Sequence, residues 1–454
     1  MSHLPFYVIP LTHSNWEEAL DYVRKLPAET IPEIRLDLLP DADPEKLVDS
    51  LKHHCVVSCR RVSDGGRWPD ADEAGRLEKI KASLRGKPHW IDLEWELEIP
   101  DWLEAELPHT RLLRSIHVAH GVFDLVPRLE HLPRGDAYKW VGHASRLSDN
   151  AYVKPPLAWA KDHHINLSAF LMGNKGIASR CMQSVWGGGF TYAAPDNAEA
   201  TALGQVKLEN MISWRCHKLH PDYGLCGVLG SPVIPSAGAV FHNLRFKKSF
   251  KDLLYLPLEA DTPEEAMEAM KSLPLLGVSV TMPLKESLAA LMNHPAPFNT
   301  IWHRADGQTW QSANTDAEAL AFFLGKLPAG PVLVLGSGGV AKTSINVAEK
   351  IGRPALMHSR RKPLPISDIT RFAPVGVIQA TCLGMGLDDD TLPFPDVLDT
   401  ALPTLRWAAE WVNRDETAFN AWADAAGLQL VKGRELFEKQ AMLQSQIFIR
   451  ECGG

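Results

Sequence analysis

"VLVLGSGGVAKTSI", Val332 to Ile345, decides how the chain divides. An apolar run of alternating Val and Leu meets Gly336, Ser337, Gly338 and Gly339, and the helix-forming Val340 and Ala341 follow. Glycines at a strand-to-helix turn let the backbone approach a pyrophosphate, and the free N–H groups of the new helix hold it. The stretch predicts the first βα unit of a Rossmann-type dinucleotide domain. The next strand, "ALMHSRRK", ends on Ser359, Arg360, Arg361 and Lys362, where an NAD site would place an acid for the ribose. That basic end suits the 2′-phosphate of NADP. Yet the unit begins about three quarters of the way along the chain, so most of the sequence must do something else.

The 454 residues predict about three domains. Apolar content of 45% with 22% charged residues describes a globular chain. A net charge of −8 argues against nucleic acid as the partner, because a phosphate backbone needs clustered Lys and Arg. No apolar run approaches the ~20 residues that span a bilayer. The opening MSHLPFYVIP has neither a basic n-region nor an Arg-rich transit pattern, so a cytoplasmic protein is expected. The 7 Cys form no CxxC pair. Cys216, His217, His220 and Cys226 cluster in "CHKLHPDYGLC", but their spacing fits no finger or ribbon, and no metal is expected.

Working backward from Val332, the first 220 residues repeat one unit. Short apolar strands recur at "PFYVIPL", "EIRLDLL", "CVVSCRR", "HWIDLEW", "RLLRSIH", "DAYKWVG", "NLSAFLMG" and "GFTYAA". Amphipathic stretches such as "NWEEALDYVRKL" and "EAGRLEKIKASL" separate them. Eight strand–helix units in this length predict an α/β fold, a (β/α)8 TIM barrel, with an open doubly wound sheet as the alternative. A barrel puts chemistry at the C-terminal strand ends. Glu33, Arg35 and Asp37 fall on strand two, Arg60 ends strand three, Asp92 and Glu94 end strand four, and His117 ends strand five. Lys139 sits in strand six, Arg180 follows strand seven, and Thr201 and Gln205 follow strand eight.

A Lys inside a barrel is desolvated, and cations beside it lower its pKa further. A neutral amine attacks a ketone, so Lys139 suggests a Schiff base that makes the neighbouring C–H acidic. His117 would take that proton and return it to a leaving hydroxyl, with Glu94 fixing its tautomer. Arg180 offers a bidentate clamp for a carboxylate. The reaction class is an imine-assisted elimination of water from a hydroxy-keto acid.

After residue 220 comes a second α/β unit. "GVLGSPVIPSAGAVFHNLRF", "DLLYLPLEA" and "GVSVTMPLKESL" read as strands with intervening helices, the last ending at Lys285. "PFNTIWHRADGQTWQSANTDAEALAFFL" reads as a hairpin with an "ADGQ" turn, then Asn314, Thr315 and Asp316 at a helix start. Lys285 and Asp316 form a candidate acid/base pair that could deliver a proton to an alkoxide during hydride transfer.

"EIRLDLL", "SCR" with "DGG", "DLE", "SIH", Lys139, "MGNKGIASR" and "ALGQ" together resemble type I 3-dehydroquinate dehydratase, in order over residues 1–215. The resemblance implies Lys139 as the imine lysine, His117 as acid/base with Glu94 as its partner, Arg180 on the carboxylate, and Glu33, Arg35, Arg60, Thr201 and Gln205 on the substrate. Val118 and Ala119 stand where that family has Asp-Phe. Residues 224–454 resemble shikimate dehydrogenase through "GSPV", "FHN", "GVSVTMPLKE", "NTD", "LGSGGVAKT", "SRRK", "QATCLGM" and "KGRELFEKQA". That resemblance implies Lys285 and Asp316 as catalysts. It puts Ser236, Thr281, Asn299 and Gln440 on the substrate. The glycine loop 336–341, the 359–362 segment and Thr381 would bind NADP. Gly238, Ser279 and Val412 replace a Ser, an Asn and a Tyr of the family pattern.

The expected organisation is a dehydratase barrel over 1–219, a substrate-binding domain from 220–320 with 434–454, and a Rossmann NADP domain over 321–433. The expected activity converts 3-dehydroquinate to 3-dehydroshikimate and reduces it to shikimate with NADPH. One alternative is a dehydrogenase half that is weakened or turned to quinate. Another is a non-enzymatic metabolite sensor of the kind that regulates fungal quinate pathways.

Overall fold

The structure is a computed structural model that describes residues 4–118, 125–220, 222–233, 237–303, 309–386, 388–400 and 403–452. Contacts divide the chain into two compact units, Met1–Leu275 and Leu276–Gly454.

In the first unit eight strands run parallel: β1 (Tyr7–Pro10), β2 (Thr30–Arg35), β3 (Val56–Ser58), β4 (Trp90–Glu94), β5 (Arg111–His117), β6 (Ala137–His143), β7 (Leu167–Met172) and β8 (Thr191–Tyr192). Their order is β7-β6-β5-β4-β3-β2-β1-β8. The Gly189 N–H donates to Leu167 O at 2.9 Å, which brings the approach to β8 back against β7 and closes the ring. The order is the sequential order of a (β/α)8 barrel, not the reversed order of an open doubly wound sheet.

Side chains alternate along each strand, so every second residue points inward. The lowest inward layer is apolar: Ile31, Val56, Trp90, Leu113 and Ala137. Two residues further along each strand come Glu33, Asp92, Ser115 and Lys139, and two further Arg35, Glu94 and His117. The barrel therefore changes from hydrocarbon to charge towards its C-terminal mouth. The outward set, including Ile34, Val57, Ile91 and Leu93, packs under helices such as Glu73–Ser83 and forms the larger core. Asp37 departs from expectation. The strand ends at Arg35, and Asp37 lies in the 3-10 turn Leu36–Leu38. The unit also contains two parallel strands, β9 (Gly224–Gly230) and β10 (Leu253–Glu259), with the helices Gly238–Lys248 and Pro263–Ser272.

The second unit opens with an antiparallel set, β11 (Leu275–Val280), β12 (Thr300–His303) and β13 (Trp310–Ala313). The expected "ADGQ" turn lies outside the described residues. Then β14 (Val332–Leu335), β15 (Ala355–His358), β16 (Gly376–Gln379), β17 (Trp407–Glu410) and β18 (Gln429–Val431) form a parallel sheet in the order β15-β14-β16-β17-β18. Strand β14 has neighbours on both sides, so the chain changes direction there. In open α/β sheets that switch point is where a ligand binds. Among the described residues, no helix is long and apolar enough to cross a membrane.

Candidate active sites

One cavity at the C-terminal mouth of the barrel is lined by Glu33, Arg35, Arg60, His117, Lys139, Arg180, Thr201 and Gln205, every barrel residue assigned a role above except Glu94. Asp64 and Tyr192 line it too.

Lys139 is buried, and its Nζ donates to Asp92 Oδ2 at 2.9 Å and to the Tyr192 hydroxyl at 3.2 Å. Burial, then the Arg60 guanidinium, holds its pKa below the usual lysine value, while Asp92 and Glu33 partly oppose the shift. His117 is held well below the usual imidazole value by burial and by Arg60, Lys139 and Arg35. It is a neutral base at neutral pH. Its Nδ1 has no hydrogen-bond partner among the described residues.

The structure gives Glu94 partners other than His117. Its carboxylate is not bonded to His117. Arg76 reaches in from the helix Glu73–Ser83 and donates to Glu94 Oε2 at 2.9 Å and Oε1 at 3.1 Å, and Arg60 donates to Oε1 at 3.3 Å. Two guanidiniums hold the acid, which is bonded to them and not to the imidazole. Arg60 is likewise engaged, by Asp92, by Glu94 and by Ser115 Oγ at 2.6 Å. Arg35 is clamped in bidentate fashion by Asp37 at 2.9 and 2.7 Å, and Asp37 also accepts the Arg60 and Arg67 N–H groups. Asp37 thus ties the loops after β2 and β3 together.

Arg180 is different. It lies in the short helix Ile177–Cys181, almost wholly buried, with its guanidinium 4.3 Å above the Phe170 ring. No carboxylate pairs with it among the described residues, and its Nε has no hydrogen-bond partner. Burial pushes its pKa down to about 10. Thr201 and Gln205 share a turn, with Thr201 N–H donating to Gln205 Oε1 at 2.9 Å.

Reasoning from the sequence missed Asp64 and Tyr192. "RRVSDGG" places a carboxylate four residues after Arg60, and "TY" occupies an inward position of β8. Burial, then Glu33 and Asp92, raises the Tyr192 pKa well above the usual phenol value, so it remains a neutral hydroxyl.

In the second unit Lys285 stands in the first turn of the helix Leu284–Leu291 and Asp316 in the first turn of Thr315–Leu324, capped by Asn314. Lys285 Nζ and Asp316 Oδ2 are 2.5 Å apart. Asn299 Nδ2 donates to Thr315 Oγ1 at 2.9 Å and lies 3.5 Å from Gln440 Oε1. Thr281 is half-buried in the turn before Leu284. Ser279, which replaces the family Asn, donates instead to Gln444 Oε1 at 3.0 Å. Ser236 lies outside the described residues.

Gly336 has φ 128°, and a Cβ there would meet Ala380 O at 2.5 Å, so only glycine serves this turn. A Cβ on Gly338 would enter open space. The helix Gly339–Lys350 that follows has no side-chain N-cap. Uncapped N–H groups at this helix start, beside the open space at Gly338 and with Ser337, Gly339, Val340 and Ala341 next in the turn, fit a pyrophosphate. Arg360 and Arg361 are exposed and make no ion pair among the described residues. Lys362 pairs back to Ser359, and Thr381 N–H is held by Gln379.

Residues 7–214 match the family model of type I 3-dehydroquinase, and residues 228–298 match that of the shikimate dehydrogenase substrate binding domain. The chain joins a type I 3-dehydroquinase to a shikimate dehydrogenase segment. A relative in Arabidopsis thaliana, a chloroplastic bifunctional 3-dehydroquinate dehydratase/shikimate dehydrogenase, is 24% identical over 92% of this chain and 77% of its own. Among solved structures, dehydroquinate dehydratase and shikimate dehydrogenase from S. pombe AroM is 18% identical, covering 98% of this chain and 96% of its own with a TM-score of 0.41. Shikimate 5-dehydrogenase from Thermus thermophilus, in complex with NADP(H) and shikimate, is 23% identical, covering 50% of this chain and 93% of its own with a TM-score of 0.42. The dehydroquinase match falls on the barrel, and the strands bearing Glu33, Lys139 and His117 lie within it.

Proposed function

We propose that the barrel dehydrates 3-dehydroquinate through an imine on Lys139 and that the second half reduces the resulting 3-dehydroshikimate to shikimate with NADPH. The observation that carries this reading is a buried lysine of lowered pKa sharing one cavity with a neutral imidazole and an unpaired guanidinium. The Lys139 amine adds to the substrate ketone and water leaves as the imine forms. His117 takes the proton beside the imine, giving an enamine. The enamine electrons expel the β-hydroxyl, which leaves as water with the proton held on His117. Hydrolysis then frees Lys139 and the enone. Arg180 holds the substrate carboxylate throughout. Tyr192, bonded to Lys139, presents a neutral O–H to the alkoxide of the carbinolamine.

In the reductive half, the glycine loop 336–341 and Thr381 would hold the cofactor, with Arg360 and Arg361 on its 2′-phosphate. NADPH supplies the hydride. Lys285, kept in place by Asp316, protonates the new alkoxide, and Asn299, Thr281, Gln440 and Ser236 bind the substrate. The chain then divides as the sequence suggests, into 1–219, 220–320 with 434–454, and 321–433. Seven free cysteines suit a reducing compartment, the cytoplasm.

The test is a coupled assay on the purified chain. NADPH oxidation should depend on 3-dehydroquinate, and borohydride added with that substrate should leave a reduced adduct on the Lys139 peptide. An unmodified Lys139 peptide refutes the imine. Enone formation without NADPH oxidation favours the weakened dehydrogenase.

A further inference from the structure

Glu265 lies in the helix Pro263–Ser272, inside the shikimate dehydrogenase match and outside the dehydroquinase match. Its carboxylate is nevertheless buried against two loops of the barrel. Oε1 accepts the Leu147 N–H at 3.0 Å, from the segment after β6, the strand that carries Lys139. Oε2 accepts the Asp261 N–H at 3.0 Å. Lys175 Nζ, in the turn after β7, lies 2.8 Å from Glu265 and 2.8 Å from Asp261. One carboxylate therefore ties together the loops that follow two neighbouring strands of the barrel.

The turn holding Lys175 shapes the cavity. Asn150 Nδ2 donates to Lys175 O at 2.6 Å, and Asn150 Oδ1 accepts the Ser179 N–H at 2.9 Å, one residue before Arg180. The Gly173 N–H donates to Leu203 O at 3.0 Å. A Cβ on Gly204 would lie 2.1 Å from Gly173 O, so the two turns touch. Residues 203 and 204 lie between Thr201 and Gln205. A shift of Lys175 thus reaches three residues of the cavity, of which Arg180 is the unpaired cation.

We propose that Glu265 is a positioning residue for the dehydratase site. Acting through Lys175 and Leu147, it sets the turn that aims Arg180 at the substrate carboxylate. The first active site is thereby completed by a residue of the second enzyme's segment. This rests on the reading of Arg180 as the carboxylate seat. Removing Glu265 leaves Lys175 with the exposed Asp261 alone and frees the loop after β6. The chemical groups, Lys139 and His117, stay where they are, so the loss falls on binding.

The test uses the full chain with Glu265→Gln and Lys175→Met, singly and together, and 3-dehydroquinate as substrate. Each single variant should raise KM roughly tenfold with kcat changed less than about twofold, as expected for a misplaced binding group far from the reacting bonds. Borohydride trapping on Lys139 at saturating substrate should persist. The double variant should be no worse than the worse single one, because both break one linkage. An unchanged KM, or KM and kcat failing in step with the melting transition, overturns the proposal. Should Glu265→Gln not fold, Asp261→Asn decides: KM must rise in the same direction by less, and an unchanged KM overturns it. A wild-type chain that binds no 3-dehydroquinate removes the functional reading itself, and this inference with it.

Discussion

Replacing Arg180 with methionine should weaken catalysis and strengthen the fold. In the free protein the guanidinium is 1% exposed and pairs with no acid among the described residues. Burial moves its pKa from the usual arginine value down to about 10. At about 1.36 kcal/mol per pH unit, that difference corresponds to roughly 3 kcal/mol of penalty on the charged form. The sign follows from linkage. The unfolded chain binds this proton more tightly than the folded one, so the penalty is fully present below about pH 10 and fades only as pH rises above it. The Phe170 face offsets roughly 1 kcal/mol of it. Methionine keeps much of the apolar stem, so unfolding should become more costly by roughly 2 kcal/mol, or about 4–8 °C in Tm. The same change deletes two charge-assisted hydrogen bonds to the substrate carboxylate, together ~3–6 kcal/mol, so kcat/KM for 3-dehydroquinate should fall by two to four orders of magnitude. Thermal unfolding and steady-state dehydration measure the two quantities on the same preparation. A Tm that falls together with activity would mean that the guanidinium is already neutralised in the free protein, and its role as substrate seat would be lost.

Other expectations follow from the same geometry. Because burial and Arg60, Lys139 and Arg35 lower the His117 pKa, the His117 ring signals of the free chain should titrate below pH 6.5 by NMR, and a midpoint above that value would contradict a neutral base. Glu94→Gln should cost roughly 3–5 kcal/mol of stability by leaving Arg60 and Arg76 short of charge, and an unchanged thermal transition would contradict those buried ion pairs. Arg360→Ala should raise KM for NADPH far more than for NADH, and equal effects would end the 2′-phosphate assignment. Gly433→Ala should destabilise the second unit by roughly 3 kcal/mol, since a Cβ there would meet Val412 O at 1.9 Å; an unchanged thermal transition would contradict that contact.

The barrel was legible because its signal is repetition. Period-two alternation along "RLLRSIH" and "DAYKWVG" places His117 and Lys139 on inward positions, and those strands span Arg111–His117 and Ala137–His143. What alternation cannot show is which charge answers which. Asp92 and Glu94 lie on the same inward face of β4, so either could have faced His117. The choice is made by Arg76, on a helix that no strand pattern links to the cavity. Asp37 was misplaced for a related reason. "EIRLDLL" alternates through residue 37, but Asp37 forms a bidentate pair with Arg35 two residues earlier, which a continuing strand also allows by spacing, and the turn appears only in the backbone. In the second unit, Ser279 read as a lost substrate contact, yet its hydroxyl is committed to Gln444, over a hundred residues away in sequence and beyond any local pattern.

The cations of the barrel mouth sort themselves by whether the protein answers them. Arg35 has Asp37, Arg60 has Asp92 and Glu94, Arg76 has Glu73 and Glu94, and Lys139 has Asp92. Those pairs fix orientation, while burial and the Arg60 charge keep His117 neutral and hold the Lys139 pKa down against the opposing pull of Asp92. A charge already matched by the protein has little to gain from a ligand, since binding would have to break what folding made. Of the cations lining this cavity, Arg180 has no acid partner among the described residues, and it is the one reached through Lys175 and Glu265. A ligand carboxylate would therefore gain a charge-assisted interaction there without breaking another. The site's affinity and its instability in the free state then have the same cause, an unanswered guanidinium held under Phe170 and waiting for an anion.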